Sequence, residues 1–258
     1  MIARSDHDRA MLREGGRRLG AILAQVAAAV APGVSLRELD ALAERLVASH
    51  GGAPAFKGYH PRHAAAPYPG TLCTSVNNEV VHGVPTRDAV LRKGDIIGLD
   101  IGMKWPTDGG LYTDTAVTVA VGKTSKAAWR LIETTERALE AGIAVAVVGN
   151  RVSDIAKAVQ VVVERAGYSV VRDLVGHGVG LAAHEDPQVP NFWDARQTDV
   201  ELVDGMVIAI EPMVAAGGWR VRTLPDGWTI ATADGSLSAH AEHTVLITKE
   251  GTEVLTRH

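Results

Sequence analysis

Two stretches of the chain, 116 residues apart, repeat one pattern of glycines and apolar residues. The matching positions are Gly33 and Gly149, Leu36 and Val152, Leu39 and Ile155, Leu46 and Val162, Val47 and Val163, and Gly51 and Gly167. Each stretch has helical spacing, follows a longer helical pattern (roughly residues 5–30 and 125–146) and precedes strand-like sequence. The repeat predicts one α+β domain, residues 1–258, with pseudo-two-fold halves of roughly 5–122 and 123–250 and helices packed on an antiparallel sheet.

Composition argues against several other classes of protein. The 26 basic and 30 acidic side chains leave a net charge of −4, so bulk charge favours neither nucleic acid nor an anionic membrane as a partner. Cys73 is the one cysteine, which excludes an intramolecular disulfide and indicates a reducing, cytoplasmic location. No apolar run reaches transmembrane length, and residues 17–33, which superficially resemble a signal peptide, have the spacing of an amphipathic helix.

Two aspartates lie on consecutive strand-like segments in the first half. Residues 96–103 and 111–119 flank the turn-rich sequence PTDGG, and residue 107, midway between Asp100 and Asp114, lies inside that turn. The two carboxylates are therefore expected to face each other, or nearly so, across an antiparallel hairpin. Buried like charges repel each other unless a cation lies between them. The alternative is an ordinary hairpin with two solvent-facing aspartates.

The second half also places carboxylates on apolar segments. Glu211 ends the apolar part of residues 206–214, and Glu242 lies within residues 238–248. Their midpoint, about residue 226, falls in the turn sequence LPDGW, but additional AAGG and ADG turns indicate more than one simple hairpin. Residues 174–190, which lie before both segments, carry His177 and His184. A single histidine in such a loop is more often structural than a ligand.

Four carboxylates and an imidazole together predict a metal centre. Oxygen-rich ligation with one imidazole suits Mn, Fe, Co or Zn and is too rich in carboxylates for a closed structural zinc site. Four negative charges balance roughly two divalent cations, and some of the carboxylates could bridge both ions. The residues thus predict a dinuclear site that activates water in a soluble enzyme.

The ordered set of motifs resembles the bacterial (type I) methionine aminopeptidases over nearly the whole chain. The set comprises Asp100, Asp114, His177 in GHGVG, Glu211 in IEPMV and Glu242 in AEHTV, with His82 in EVVHGVP and His184 in AHEDPQVP. The resemblance implies the pita-bread fold, in which a metal pair lies between the two halves of a curved antiparallel sheet. It also implies removal of the initiator methionine from nascent proteins when the second residue is small.

The same resemblance implies a role for each site residue. Asp114 and Glu242 would bridge the two metals, Asp100 would bind one of them, and His177 and Glu211 would complete the other. Glu211 would accept a proton as water attacks the first peptide carbonyl. His184 would hydrogen-bond the substrate and the tetrahedral intermediate, and His82 would contact the peptide near the scissile bond. The free α-amino group would bind at the metal held by Asp100.

The methionine pocket implied by the resemblance uses Tyr59, Tyr68, Cys73, His82 and Trp228, because sulfur and aromatic groups suit a flexible thioether. The alternative for each aromatic residue is ordinary core packing. The chain departs from the typical bacterial enzyme in a longer loop between Tyr59 and Tyr68 and in a slightly longer connection between the two aspartates. It also has Ala183 before His184 where a phenylalanine is usual, which is expected to widen the pocket.

Three alternatives share the fold implied by this resemblance. An X-Pro aminopeptidase or prolidase usually carries a substantial domain before the first metal ligand. A type II methionine aminopeptidase needs a helical insertion for which the segment between His184 and Glu211 is too short. A non-catalytic peptide-binding protein tends to lose metal ligands. The favoured interpretation expects a monomer acting on the N-terminal methionine of peptides, with any ribosome docking supplied by its own surface.

Overall fold

A computed structural model of the chain describes residues 1–61 and 64–257. Within these residues the helices are α1 (Asp6–Ala28), α2 (Leu36–Ser49), α3 (Lys126–Val145) and α4 (Val152–Arg165). The strands of the first half are β1 (Ala53–Pro54), β2 (Leu72–Val76), β3 (Glu79–Val81), β4 (Ile96–Trp105) and β5 (Leu111–Ala120). Those of the second half are β6 (Ser169–Val170), β7 (Gly176–Gly178), β8 (Glu185–Val189), β9 (Val207–Ile210), β10 (Met213–Ala215), β11 (Val221–Thr223), β12 (Ile230–Thr232), β13 (Ser238–His240), β14 (Glu242–Thr248) and β15 (Gly251–Val254).

Three of the four helices in the described residues begin after a serine whose side chain accepts a backbone N–H of the first turn: Ser5, Ser35 and Ser125. Ser35 and Glu38 form a capping box at the start of α2, in which each side chain bonds the other residue's backbone N–H. The repeated glycine that follows each second helix, Gly51 or Gly167, has a positive φ, of 74° and 84° respectively, which favours glycine at a helix end. None of the helices in the described part of the chain combines the length and apolarity that a membrane span requires.

One nine-stranded antiparallel sheet runs through both halves in the order β1-β4-β5-β14-β9-β7-β8, with β2 on β4 and β15 on β14. The pairing of β5 with β14 joins the halves and sets Glu242 opposite Ala116. Helices α1 and α2 cover the first half with one buried cluster, and α3 and α4 cover the second half with another. The structure thus confirms the predicted α+β class and the two related halves.

The repeated positions have equivalent environments in the two halves. Leu36 and Val152, Leu39 and Ile155, and Val47 and Val163 are all buried, and Leu46 and Val162 are both half-buried. On β4 the alternate residues Ile97, Leu99, Ile101 and Met103 belong to the cluster beneath α1 and α2. Because side chains alternate along a strand, Asp100 is directed to the opposite face of the sheet.

Three strand-like segments of the sequence are divided in the structure. Residues 74–85 yield the end of β2 and the separate β3, with Asn77 between them at φ 57°. Residues 206–214 break after Ile210, and residues 238–248 break at Ala241. At these breaks the chain changes sheets: β9 pairs with β14, whereas β10 pairs with β13 in a smaller sheet. The expectation that Glu211 and Glu242 do not lie on one simple hairpin is therefore confirmed.

Candidate metal centre

Four neighbouring strands bring the acidic residues together on one face of the sheet. Asp100 on β4 is opposite Ala116 on β5, and Ala116 is opposite Glu242 on β14. Glu211 and Glu242 lie between two antiparallel pairs, His243 with Ile210 and His240 with Met213. The same register continued between these pairs places Glu211 opposite Glu242. Asp114 precedes Ala116 by two residues on β5 and therefore points to the same face.

The two aspartates are diagonal neighbours rather than direct partners. Asp114 is opposite Gly102, and Asp100 is opposite Ala116. The two aspartates are therefore offset by two residues along the strands, and the expectation that they face each other directly is wrong. The hairpin is centred one residue later than the midpoint of Asp100 and Asp114. Diagonal side chains on one face remain close enough to interact, so the near-facing form of the prediction is correct.

His177 reaches this face from β7. Its Nδ1 lies 2.9 Å from the carbonyl oxygen of Gly178. A carbonyl oxygen only accepts hydrogen bonds, so Nδ1 carries the proton and Nε2 of the neutral ring presents a lone pair. Burial lowers the pKa of His177 to about 3, which keeps the ring neutral. Its Nε2 therefore has the form that binds a metal ion.

The ligand atoms converge within one cavity. Single oxygen or nitrogen atoms of Asp114, His177 and Glu242 all lie within 4.8 Å of one another. Nε2 of His177 is 3.4 Å from Oε1 of Glu211. These residues and Asp100 line a cavity of about 320 Å³. The structure thus brings all five predicted metal-side residues to one place.

Burial perturbs all four carboxyl groups. It raises the pKa of Asp100 to about 7 and the pKa of Glu211 to about 8. The pKa values of Asp114 and Glu242 are raised well above the usual range, first by burial and then by the neighbouring carboxylates. Bringing four such groups together is costly unless protons or cations balance their charge.

The residues fit divalent cations. Asp100 Oδ1 and Glu242 Oε1 are buried without a hydrogen-bond partner in the part of the chain that the structure describes. Nε2 of His177 presents its lone pair to the same space, 3.4 Å from Oε1 of Glu211. Carboxylate oxygens with one imidazole are the donors that Mn, Fe, Co and Zn accept.

All six predicted substrate-side residues line the same cavity: Tyr59, Tyr68, Cys73, His82, His184 and Trp228. The ring centroid of His184 lies 4.4 Å from that of His177 and 5.1 Å from that of Tyr59. Burial lowers the pKa of His184, and it lowers the pKa of His82 to about 4, with His184 and His240 adding to the second shift. Both imidazoles are therefore neutral near pH 7.

Tyr68 is held in the cavity wall despite the longer loop before it. Its hydroxyl donates to the Gly83 carbonyl at 2.9 Å, and its ring meets Trp228 edge-on at 5.2 Å. Pro61 and Ala64 from the loop also line the cavity. Arg62 and His63, which belong to the loop named in the sequence analysis, lie outside the described residues.

Cys73 and Ala183 differ in their relation to the cavity. Cys73 lies in the wall, and burial raises the pKa of its thiol well above the usual range, so it is a neutral thiol. Ala183 is buried but is not among the residues that line the cavity. The expected widening of the pocket at Ala183 stays a prediction.

Sequence reasoning missed several residues of the site. Phe56 and Leu174 also line the cavity, and His240 contacts Glu211 from outside it, with 3.6 Å between Nε2 and Oε2. Phe56 and Leu174 carry no signal that separates them from core residues. His240 precedes Glu242 by two residues, and strand alternation could have placed both side chains on one face.

Known proteins resemble this chain over its full length. Residues 10–249 match the model of metallopeptidase family M24. A methionine aminopeptidase from Clostridium perfringens is 44% identical over 99% of this chain and 98% of that protein. The crystal structure of a methionine aminopeptidase from Thermotoga maritima has a TM-score of 0.92 and 40% identity, and the match covers 100% of each chain. The expected pita-bread fold is thereby confirmed.

A more distant solved structure shares the fold alone. The Xaa-Pro dipeptidase from Bacillus anthracis has a TM-score of 0.76 at 21% identity, and the match covers 62% of that chain.

Proposed function

This chain belongs to the methionine aminopeptidases of metallopeptidase family M24, and we propose that it hydrolyses the bond after an N-terminal methionine when the second residue is small. The observation that supports this specificity most directly is the shared cavity. Five metal-side residues and a pocket of aromatic and sulfur side chains lie in one space of about 320 Å³. That volume suits a single side chain and the start of a peptide.

The proposed centre holds two divalent ions from among Co, Mn, Fe and Zn. Asp114 and Glu242 are the proposed bridging ligands, Asp100 completes one side, and His177 with Glu211 completes the other. The four buried carboxyl groups support two ions, since a single divalent cation would leave half of their charge unbalanced. When bound, such ions polarise the scissile carbonyl and lower the pKa of the attacking water.

Glu211 is the proposed proton acceptor during attack. Its carboxylate lines the cavity, and its Oε1 is directed toward His177. Burial raises its pKa to about 8 in the metal-free chain, so its ionised carboxylate is a stronger base than an exposed one. A carboxyl group in such an environment can take up a proton and later donate it to the leaving amine.

His184 and His82 are proposed to contact the substrate. Each neutral imidazole offers one N–H donor. His184 lies beside His177. From there its N–H would bind the scissile carbonyl oxygen and stabilise the developing oxyanion. His82 has a φ of 57°, an unusual conformation for a residue other than glycine. Backbone strain of this kind concentrates at functional sites, so it supports a role for His82 at the scissile bond.

The methionine side chain is proposed to lie among Tyr59, Tyr68, Cys73, His82 and Trp228. The edge-on pair of Tyr68 and Trp228 and the neutral thiol of Cys73 form a polarizable wall that suits a thioether. Tyr59, with 37% of its surface exposed, lies at the mouth of the cavity. The free amino group of the substrate is proposed to bind on the Asp100 side, which limits cleavage to the first residue.

We further propose nascent chains as substrates and action as a monomer in the cytoplasm, with any ribosome docking through the surface of this domain. The support for a monomer is that one chain supplies every residue of the proposed site. The support for a reducing compartment is the unpaired, buried Cys73.

A peptide panel with defined metals tests the proposal. The purified protein is treated with a chelator, and Co, Mn, Fe or Zn is then added back before cleavage of peptides that vary in their first two residues. We expect no cleavage without metal and restored cleavage of Met-Ala-Ser with at least one ion. Met-Leu-Ser should be cleaved far more slowly, because the proposed function requires a small second residue.

Peptides that begin with norleucine or leucine serve as the matched comparison for methionine. If they were cleaved as fast as Met-Ala-Ser or faster, the assignment of methionine would be wrong. If no divalent ion restored cleavage of any peptide, the interpretation as a non-catalytic peptide-binding protein would replace the proposed function. Cleavage that required proline at the second position, whatever the first residue, would favour the X-Pro peptidases.

A further inference from the structure

A buried imidazole that has no predicted role contacts the carboxylate of Glu211. The side chain of His240, at the end of β13, is 3% exposed, and its Nε2 lies 3.6 Å from Glu211 Oε2. This Nε2 has no hydrogen-bond partner in the described part of the chain. The other oxygen of Glu211, Oε1, lies 3.4 Å from Nε2 of His177. The carboxylate therefore lies between two imidazoles.

The backbones of His240 and Glu211 are both fixed by further contacts. The hydroxyl of Thr118 accepts from the His240 N–H at 2.9 Å and donates to the His240 carbonyl at 2.7 Å. The side-chain amide of Asn191 donates to the Glu211 carbonyl at 2.9 Å. The pairing of Met213 with His240 links the two segments directly. The proximity of the two side chains is therefore built into the backbone.

His240 lies behind the proposed metal centre rather than within it. The five metal-side residues line the cavity, whereas His240 is absent from its wall. An unpartnered buried nitrogen is unfavourable unless it finds an acceptor. Oε2 of Glu211 is the acceptor at hand, and a movement of about 0.5 Å brings the two atoms to hydrogen-bond distance.

We propose that His240 is a positioning residue whose Nε2–H donates to Glu211 Oε2 and keeps Oε1 turned toward His177 and the cavity. Partners that hold a ligating carboxylate in this way raise metal affinity, because the ligand is already oriented before the ion binds. The inference rests on the proposed function for the role of Glu211. It adds a residue that touches neither substrate nor metal but acts through Glu211.

The test compares His240→Leu, which removes the donor, with His240→Gln, whose amide nitrogen can reach the same position. His243→Leu is the matched control, since this neighbouring histidine is directed to the opposite face and contacts Thr256 instead. The Kd for Mn²⁺ is measured calorimetrically on chelator-treated protein without substrate. The values of kcat and KM for Met-Ala-Ser are then measured at saturating Mn²⁺.

We expect His240→Leu to weaken Mn²⁺ binding roughly 10- to 100-fold and to lower kcat with little change in KM. His240→Gln and His243→Leu should bind Mn²⁺ with a Kd within about threefold of that of the unmodified protein. Loss of a residue that orients a metal ligand would change the Kd by more than this. Wild-type Mn²⁺ affinity in His240→Leu would overturn the proposal. Equal loss in the Leu and Gln variants would overturn it as well, because side-chain shape rather than the donor would then matter.

A second pair of variants covers the case in which His240→Leu does not fold. His240→Asn carries the same amide as His240→Gln on a shorter stem that cannot reach Glu211, so it should bind Mn²⁺ more weakly than the Gln variant. Equal affinity in these two variants would overturn the proposal. If the unmodified protein bound Mn²⁺ but cleaved no Met-initiated peptide, the proposed function would fail, while the affinity series would still decide the role of His240.

Discussion

At the scale of single residues, the proposed metal centre consists of polar groups whose burial is energetically unfavourable in the metal-free chain. Asp114 and Glu242 are buried beside each other's negative charge, and Glu242 Oε1 has no partner in the described residues. His82 adds an unusual backbone conformation. Together these features indicate that the site is organised for binding and chemistry at the expense of the metal-free fold.

The substitution Asp114→Asn tests this trade-off. We expect cleavage of Met-Ala-Ser to fall by at least about 10³-fold, because the variant loses one of the proposed bridging charges. The metal-free variant should unfold at the same temperature as the unmodified chain or about 2–4 °C higher, since a repelling carboxylate is removed. Thermal unfolding and steady-state kinetics at saturating Mn²⁺ measure the two effects.

Near-normal activity in Asp114→Asn would count heavily against a two-metal mechanism. A lower unfolding temperature of the metal-free variant would show instead that Asp114 stabilises the fold. Its carboxylate accepts from the Thr115 N–H at 3.0 Å, and an asparagine carbonyl can keep this bond. The substitution therefore separates charge from hydrogen bonding.

The sequence allowed the metal-side residues to be predicted better than their surroundings. Asp100, Asp114 and Glu242 lie on long strands, where alternation and register follow from spacing. His240 was missed because its closeness to Glu211 arises where both strands break, at Ala241 and after Ile210. Spacing does not predict which partner a strand takes after such a break.

At the scale of elements, β4 contributes two residues that shape the site in different ways. Asp100 faces the cavity, and Gly102 on the same face leaves space for the ring of Phe56, which lines the cavity. A Cβ at Gly102 would lie 2.9 Å from the Phe56 ring and 2.9 Å from Ala55. The absence of a side chain at Gly102 thus sets the position of one pocket wall.

We expect Gly102→Ala to raise KM for Met-Ala-Ser several-fold while leaving the Kd for Mn²⁺ within about threefold, because Phe56 must move but the metal-side residues need not. The matched control is Gly98→Ala on the same strand, where an added Cβ meets its nearest atom, in Ser75, at 3.6 Å. Equal KM values in the two variants would show that Phe56 does not shape the pocket.

At the scale of the whole molecule, two related halves meet at the pairing of β5 with β14. Each half contributes two strands to the acidic face: β4 and β5 from one, β9 and β14 from the other. The site lies at the junction of the two halves, each of which has its own buried hydrophobic cluster. It also concentrates the titrating groups of both halves in one place, so the stability of the metal-free chain should depend on pH.

We expect the metal-free chain to lose stability as pH rises from about 6.5 to 8. Burial raises the pKa of Asp100 to about 7 and that of Glu211 to about 8. The folded chain therefore holds more protons than the unfolded chain in this window, and stability falls with increasing pH. The lowered pKa values of His82, His177, His184 and His240 have the opposite effect, but this effect fades as pH rises above about 6.5, because the unfolded histidines then lose their protons.

Thermal unfolding of chelator-treated protein at several pH values measures this effect. A difference of one proton bound changes stability by about 1.4 kcal/mol per pH unit, so the unfolding temperature should fall by about 2–4 °C or more across the window. Saturating Mn²⁺ should abolish or reverse the decrease, because the ion binds ionised carboxylates. An unfolding temperature that rises from pH 6.5 to 8 without metal would contradict the prediction.

The sequence by itself determined the two-half α+β architecture and the residues of the proposed metal centre. These features depend on local spacing, and spacing is a property of the chain. Tertiary structure alone decided the diagonal register of Asp100 and Asp114, the exchange of sheets at Ala241, and the place of His240 behind Glu211. Such features depend on which distant strands pair, and that choice is made by packing across the whole sheet rather than by neighbours along the chain.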